Sequence, residues 1–215
     1  MINTIILIAG FYGGFGGFGG YVTKTDMSGL NHVLTSHGIE NFSDLSYGWG
    51  GLGYGIVNKV WIGGGGFGAG QSVTSDSLEI ILSGGGGYFE LGYTVFESKK
   101  MLGGILIGIG GFGYSLTLNP SNGDQSFDSL IVNPRRSSKV LISSSISLMP
   151  SFGFLVFLNR YAGVFMKVGY AFYTKPVWKL DDGGEVLNPP DWSRSSLVAS
   201  FNLVFGGGSS ERKER

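Results

Sequence analysis

Between Tyr47 and Leu118 the chain reads YGWGGLGYGIV (Tyr47–Val57), NK, VWIGGGGFGAG (Val60–Gly70), then LEIILSGGGGYFELGYTVF (Leu78–Phe96), ESKK, MLGGILIGIGGFGYSLTL (Met101–Leu118). Each half is a long run of glycine, β-branched and aromatic residues, a short polar connector, and a second such run, which is the sequence form of an antiparallel hairpin. A helix is disfavoured, because each interior glycine costs about 1 kcal/mol against alanine. The stretch therefore predicts four strands, at about Leu45–Val57, Val60–Gln71, Leu78–Phe96 and Met101–Leu118.

Working outward, IILIAGFYGGFGGFGGYV predicts a first strand over Thr4–Val22. In DMSGLNHVLTSHG, Met27, Leu30, Val33 and Leu34 recur at helical spacing, with Asp26 placed to cap the start and Gly38 the end of a short amphipathic helix. Past Leu118 comes a polar loop with two Asn-Pro pairs and Arg135-Arg136, then a sixth strand over Val140–Leu158. Its Val140, Ile142, Ile146, Leu148, Phe152, Phe154 and Val156 share one face, with Ser143, Ser145, Ser147, Ser151 and Gly153 on the other. Pro150 inside this strand predicts a bulge or break. In the seventh strand, Tyr161–Thr174, Val164, Met166, Val168, Tyr170 and Phe172 oppose Gly163, Lys167, Gly169 and Ala171. A long loop, KPVWKLDDGGEVLNPPDWSR, leads to an eighth strand over Ser196–Phe205.

The 215 residues predict one all-β domain over 1–208 and a polar tail over 209–215, with no interior linker between differing compositions. The 40 glycines follow no triplet period, and aromatics are abundant. Mean hydropathy is positive, +0.20, and only 14% of residues are charged. Much apolar surface thus needs covering by something other than a thick core. Fifteen basic residues balance fifteen acidic ones, which argues against nucleic acid as a partner. Without cysteine there are no disulfides and no thiolate metal or catalytic sites. No apolar run reaches the roughly 20 residues of a membrane-spanning helix. The start, MINTIILIAG, lacks a basic n-region, so the expectation is either a trimmed form or a protein not exported by that route.

An even strand number with connectors alternating long and short is the pattern of a transmembrane β-barrel. The count, this alternation and the terminal strand LVASFNLVF, apolar at every second position up to Phe205, resemble the small eight-stranded outer-membrane barrels of Gram-negative-type bacteria. The GGxGxG-rich strands are also similar to glycine-rich barrel-like proteins of thermophilic bacteria. The resemblance implies an eight-stranded antiparallel up-and-down barrel in the bacterial outer membrane, with lipid or detergent as its partner. In that family the terminal aromatic usually ends the chain, whereas here ten residues follow Phe205.

Two charges fall inside strands on small-residue faces, Glu90 among Gly84, Gly86 and Gly92, and Lys167 among Gly163, Gly169 and Ala171. They are expected to point inward into a polar network, since a charge facing lipid at mid-depth costs about 2–4 kcal/mol; a place near a wet rim is the competing reading. Arg135, Arg136, Trp178 and Trp192 form the expected loop contact surface, with ordinary loop packing or an aromatic belt as the alternatives. Gly14–Gly19 and Gly108–Gly113 match G-x-G-x-x-G, but neither opens into a helix that would offer its N-terminus to a pyrophosphate. His32 and His37, five apart, project in different directions and make a poor metal pair. No cofactor and no catalytic cluster are expected. The leading functional expectation is a non-enzymatic structural or surface-exposed barrel, with a narrow pore or small-ligand cavity as its secondary form. The rival is a soluble or cell-surface glycine-rich protein that self-associates into oligomers, tubes or filaments through its apolar strand faces.

Overall fold

The computed structural model describes residues 11–75, 78–120, 139–181, 183, 184, 186, 189 and 193–210. Its elements are β1 (Phe11–Thr25), α1 (Ser28–Ser36), β2 (Leu45–Val57), β3 (Val60–Thr74), β4 (Leu78–Glu97), β5 (Met101–Pro120), β6 (Lys139–Phe157), β7 (Ala162–Tyr173), β8 (Val177–Leu180) and β9 (Ser195–Ser210). Each long strand pairs antiparallel with its neighbours, and β9 closes on β1. The result is a closed eight-stranded antiparallel barrel with one short extra strand. Closure leaves none of the eight long strands at an open sheet edge.

The register fixes the bore. Starting at Gly13 and following paired residues through Ile56, Trp61, Gly92, Leu106, Ser151, Gly169 and Val198 returns the path to β1 at Thr23, ten residues from where it began. Eight strands leave an interior just wide enough for side chains to fill. The hairpin turn at Asn58-Lys59 takes positive φ at both residues, 48° and 72°, the primed geometry that matches strand twist.

Four expectations about the strands and their connectors change. The connector after Val22 begins later, because β1 runs to Thr25. The connector between β3 and β4 is shorter than expected, because β3 runs on to Thr74 while β4 begins at Leu78 as expected. Pro150 produces no bulge: the β6–β7 ladder skips Met149 and Pro150 and resumes at Ser151↔Gly169 in unchanged register. The missing proline N–H removes ladder bonds on one side only, and pairing with β5 is continuous through Ile107↔Pro150. Finally, part of the last loop is strand: β8 occupies the place beside β6 that β7 vacates, with Ser143 opposite Trp178. Thr174 bridges the two, donating its N–H to the Ile146 carbonyl (2.9 Å) and accepting the Ile146 N–H at Oγ1 (3.0 Å).

Alternation holds along β6 and β7. Ile142, Ile146, Leu148, Phe152, Met166, Val168, Tyr170 and Phe172 face outward and are exposed, while Ser143, Ser147, Ser151, Lys167 and Ala171 are buried. Inside, apolar layers stack from the short-turn end upward. The first gathers Phe15, Tyr54, Trp61, Leu106, Leu155 and Phe165; the next, Tyr21, Phe67, Met149, Tyr173 and Val198. At the long-connector end Met27, Leu30, Leu34 and Phe42 of the α1 segment pack onto Val73, Ile80, Leu82, Tyr114, Leu116 and Trp178. Val33, expected on that buried face, is exposed. Asp26 accepts the Ser28 N–H (2.9 Å), although Met27 is the residue at the N-cap. That N–H and the Ser28 hydroxyl hold the Asp26 carboxyl below its ordinary range. Gly38, at φ +71°, ends the turn after the helix.

Inward glycines make room for large side chains, not for a cavity. A Cβ on Gly63 would collide with the Gly53 carbonyl and stand 2.6 Å from the Tyr54 ring; one on Gly86 would meet the Phe112 ring at 2.7 Å; one on Gly153 would meet the Phe165 ring at 2.8 Å. Two interior spaces beside these rings hold about 10 and 20 Å³, at most one water each. Outward Gly111, by contrast, has open space at its Cβ. Gly153→Ala is therefore expected to destabilise by about 1–3 kcal/mol through overpacking, and Gly111→Ala to leave stability unchanged or slightly raised. Urea titration in detergent micelles checks this; equal effects at the two positions would contradict the packing account.

Candidate functional site

Glu90 lies in β4 with a glycine directly opposite on each side, Gly63 in β3 and Gly108 in β5. A Cβ on Gly108 would stand 2.8 Å from the Glu90 Cγ, so the glycine is what lets the carboxylate lie against the wall. Lys167, in β7, is opposite Gly153 and Ser200. Both side chains point inward and are fully enclosed, with 0% and 1% of their side-chain surface exposed.

The two charges meet across the barrel. Lys167 Nζ donates to both Glu90 oxygens at 3.1 Å. Ser151 Oγ donates to Oε1 at 3.2 Å, and the Tyr54 hydroxyl donates to Oε2. The ammonium stands 3.8 Å above the centre of the Tyr88 ring, whose electron-rich face attracts a cation. The Tyr88 hydroxyl lies 3.4 Å from that of Tyr21. On the short-turn side, Trp61 Nε1–H donates to Thr94 Oγ1 at 2.7 Å. Asn202, fully buried, donates through Nδ2 to Ser200 Oγ at 3.0 Å.

This layer sits between two apolar ones, so the pair is shielded from water above and below. Burial of two charges is tolerable only when their remaining lone pairs and protons are also satisfied, which Tyr54, Ser151 and the Tyr88 face accomplish. Strand alternation singles out Glu90 and Lys167; it places Tyr88 on the Glu90 face two residues away and Ser151 on the small face of β6. What it lacks is Tyr54, which reaches Glu90 from two strands away.

The expected loop contact surface fares differently. Arg135, Arg136 and Trp192 lie outside the described residues. Trp178 is not on a surface: it is 5% exposed, inward-facing in β8 and packed in the layer under α1, because β8 extends the barrel wall and its alternation turns this residue to the lumen. His37 is engaged with the carbonyl of Val33 within its own helix turn (2.9 Å), and no group of three metal-ligating side chains occurs among the described residues.

Removing one partner strands the other charge, so Glu90→Gln and Lys167→Met are each expected to cost about 3–5 kcal/mol. The double replacement is expected to cost less than the sum, with a coupling of about 0.5–3 kcal/mol. Urea unfolding of all four proteins in one detergent closes the cycle, and additive losses would show that the pair does not act as a unit.

No family model and no curated protein matches the sequence. Among solved structures, the chain is similar to Ail, the attachment invasion locus protein of Yersinia pestis, with 12% identity over 94% of this chain and 100% of that one and a TM-score of 0.47. It is similar to the outer membrane protein OprG from Pseudomonas aeruginosa, with 16% identity over 92% and 96% and a TM-score of 0.46. It is also similar to the outer membrane protease OmpT from Escherichia coli, with 9% identity over 93% and 97% and a TM-score of 0.42.

Proposed function

We propose that this chain spans a bacterial outer membrane as a non-enzymatic barrel of structural or surface-exposed role. The observation that carries the reading is the outer wall. Phe89, Leu91 and Tyr93 on β4, Ile105, Ile107 and Ile109 on β5, Ile146, Leu148 and Phe152 on β6, Val168, Tyr170 and Phe172 on β7, and Leu197, Phe201 and Leu203 on β9 are all exposed. Among the described residues, every charge except Glu90 and Lys167 lies at a strand end or in a connector. A soluble monomer does not present a continuous apolar girdle of this extent; a bilayer covers it, and a closed barrel satisfies its backbone there. Tyr47 and Trp49 towards one rim, and Tyr161 at the other, are exposed aromatics at the levels where interfacial girdles form.

The interior supports the structural part of the proposal. Among the described residues, its apolar layers and ion pair crowd the lumen, which favours a structural role over a pore. Recognition then falls to the long connectors.

Sedimentation in detergent and in plain buffer, with gel mobility of boiled and unboiled samples, tests the reading. A discrete β-rich monomer only in detergent, with heat-modifiable mobility, is expected. A protein that stays soluble, or forms regular assemblies, without detergent would instead assign the girdle to contacts between copies.

A further inference from the structure

The segment from Met27 to Phe42 closes its hydrogen bonds within itself and onto Asp44, whose carbonyl in turn accepts the Thr25 N–H of β1 (2.9 Å). Asn31 mimics a backbone partner for Phe42, donating from Nδ2 to its carbonyl (2.9 Å) and accepting its N–H at Oδ1 (2.8 Å). Thr35 Oγ1 donates to Asn41 Oδ1 (2.8 Å), and the Met27 N–H donates to Asp44 Oδ1 (3.0 Å). The first polar link to the barrel wall comes at Ser43, which exchanges two bonds with the Gln71 amide. Between Met27 and Phe42, among the described residues, what holds the segment in the barrel mouth is apolar packing of Met27, Leu30, Leu34 and Phe42. A unit bonded within itself and seated by side-chain contact is built to move as one piece.

The wall beneath it carries a second, independent feature. Ser143, 2% exposed, faces inward, and its hydroxyl has no hydrogen-bond partner among the described residues. It is opposite Tyr114 on one side and Trp178 on the other, in the same layer that receives the α1 side chains. Buried hydroxyls are nearly always partnered, so a lone one on the floor of an apolar cup asks for an occupant.

We propose that Met27–Phe42 is a plug that leaves the barrel mouth as a unit, and that the cup it vacates binds a small apolar alcohol or phenol. Its hydroxyl pairs with Ser143 Oγ and its body lies between Tyr114, Trp178, Leu82 and Leu116. This goes beyond the structural role argued above, and it needs no opening of the Glu90–Lys167 layer. A ligand that occupies the cup only when the plug is out shifts the population towards the open state.

The experiment uses the full chain in lipid nanodiscs, with 4-phenylphenol as probe and biphenyl as its hydroxyl-free control. Hydrogen exchange is followed at Leu30–Ser36 and in β3–β5. Without probe, the α1 amides are expected to exchange together, about tenfold or more faster than the strand amides. Rising 4-phenylphenol speeds that exchange saturably, biphenyl does so more weakly, and Ser143→Ala makes the two probes alike. Leu30→Cys, in a chain without other cysteines, gives a separate reading: its labelling by a water-soluble maleimide rises with the same probe concentration dependence. Exchange of α1 in step with the strands overturns the plug; equal responses to the two probes, or a hydroxyl preference that survives Ser143→Ala, overturns the site.

Discussion

The bore of the barrel is the constraint on which everything else depends. Eight strands offset by ten residues around the circuit enclose a lumen only side chains wide, and this chain fills it with Phe15, Tyr54, Trp61, Phe67, Phe112 and Phe165. Rings of that size fit only where the facing wall offers no Cβ. Gly63 against Tyr54, Gly86 against Phe112 and Gly153 against Phe165 are three such places. The glycine content is therefore a packing requirement at these positions. Ring contacts between Phe15, Tyr54, Trp61 and Phe165, with centroids 5.3 to 6.1 Å apart, tie β1, β2, β3 and β7 together through the middle of the molecule.

Within that packed column, among the described residues, charge is admitted at the Glu90–Lys167 pair. It joins strands 77 positions apart in sequence, so neither charge finds its partner until the wall between them has formed. Such a pair is weak evidence for net stability, because desolvation offsets much of the attraction, but it penalises misregistered closure heavily. A slip of one residue in β4 or β7 would turn a charge to the outer face, where the apolar girdle of β4–β7 leaves it no partner.

Much of this was legible in the residues, for physical reasons. Alternation of period two in Val140–Val156 and Val164–Phe172 assigned the inner and outer faces, because one face meets apolar surroundings and the other a crowded lumen. Asn58-Lys59 marked a turn, and small residues around Glu90 and Lys167 marked both as inward. Other features depended on neighbours in space. β8 is four residues long and has no pattern of its own; it is a strand because β6 offers it a free ladder. Pro150 reads as a disruption, yet only one of its two ladders needed the missing N–H. Nor does glycine on a strand face distinguish an empty lumen from one filled by rings of adjoining strands. That depends on the offset, and the offset emerges only when all eight pairings are set.

Two tryptophans separate the proposed lipid-facing outer wall from the packed interior directly. Trp49 is 74% exposed on the outer wall and Trp61 is fully buried inside. Reconstitution into vesicles of brominated phosphatidylcholine, comparing the native chain with Trp49→Phe and Trp61→Phe, measures which indole lies within reach of the acyl chains. Bromine quenching is expected to fall sharply on losing Trp49 and to be unchanged, as a share of the remaining emission that Trp49 supplies, on losing Trp61. Quenching that persists without Trp49 and disappears without Trp61, or that is absent from the native chain, would contradict that placement.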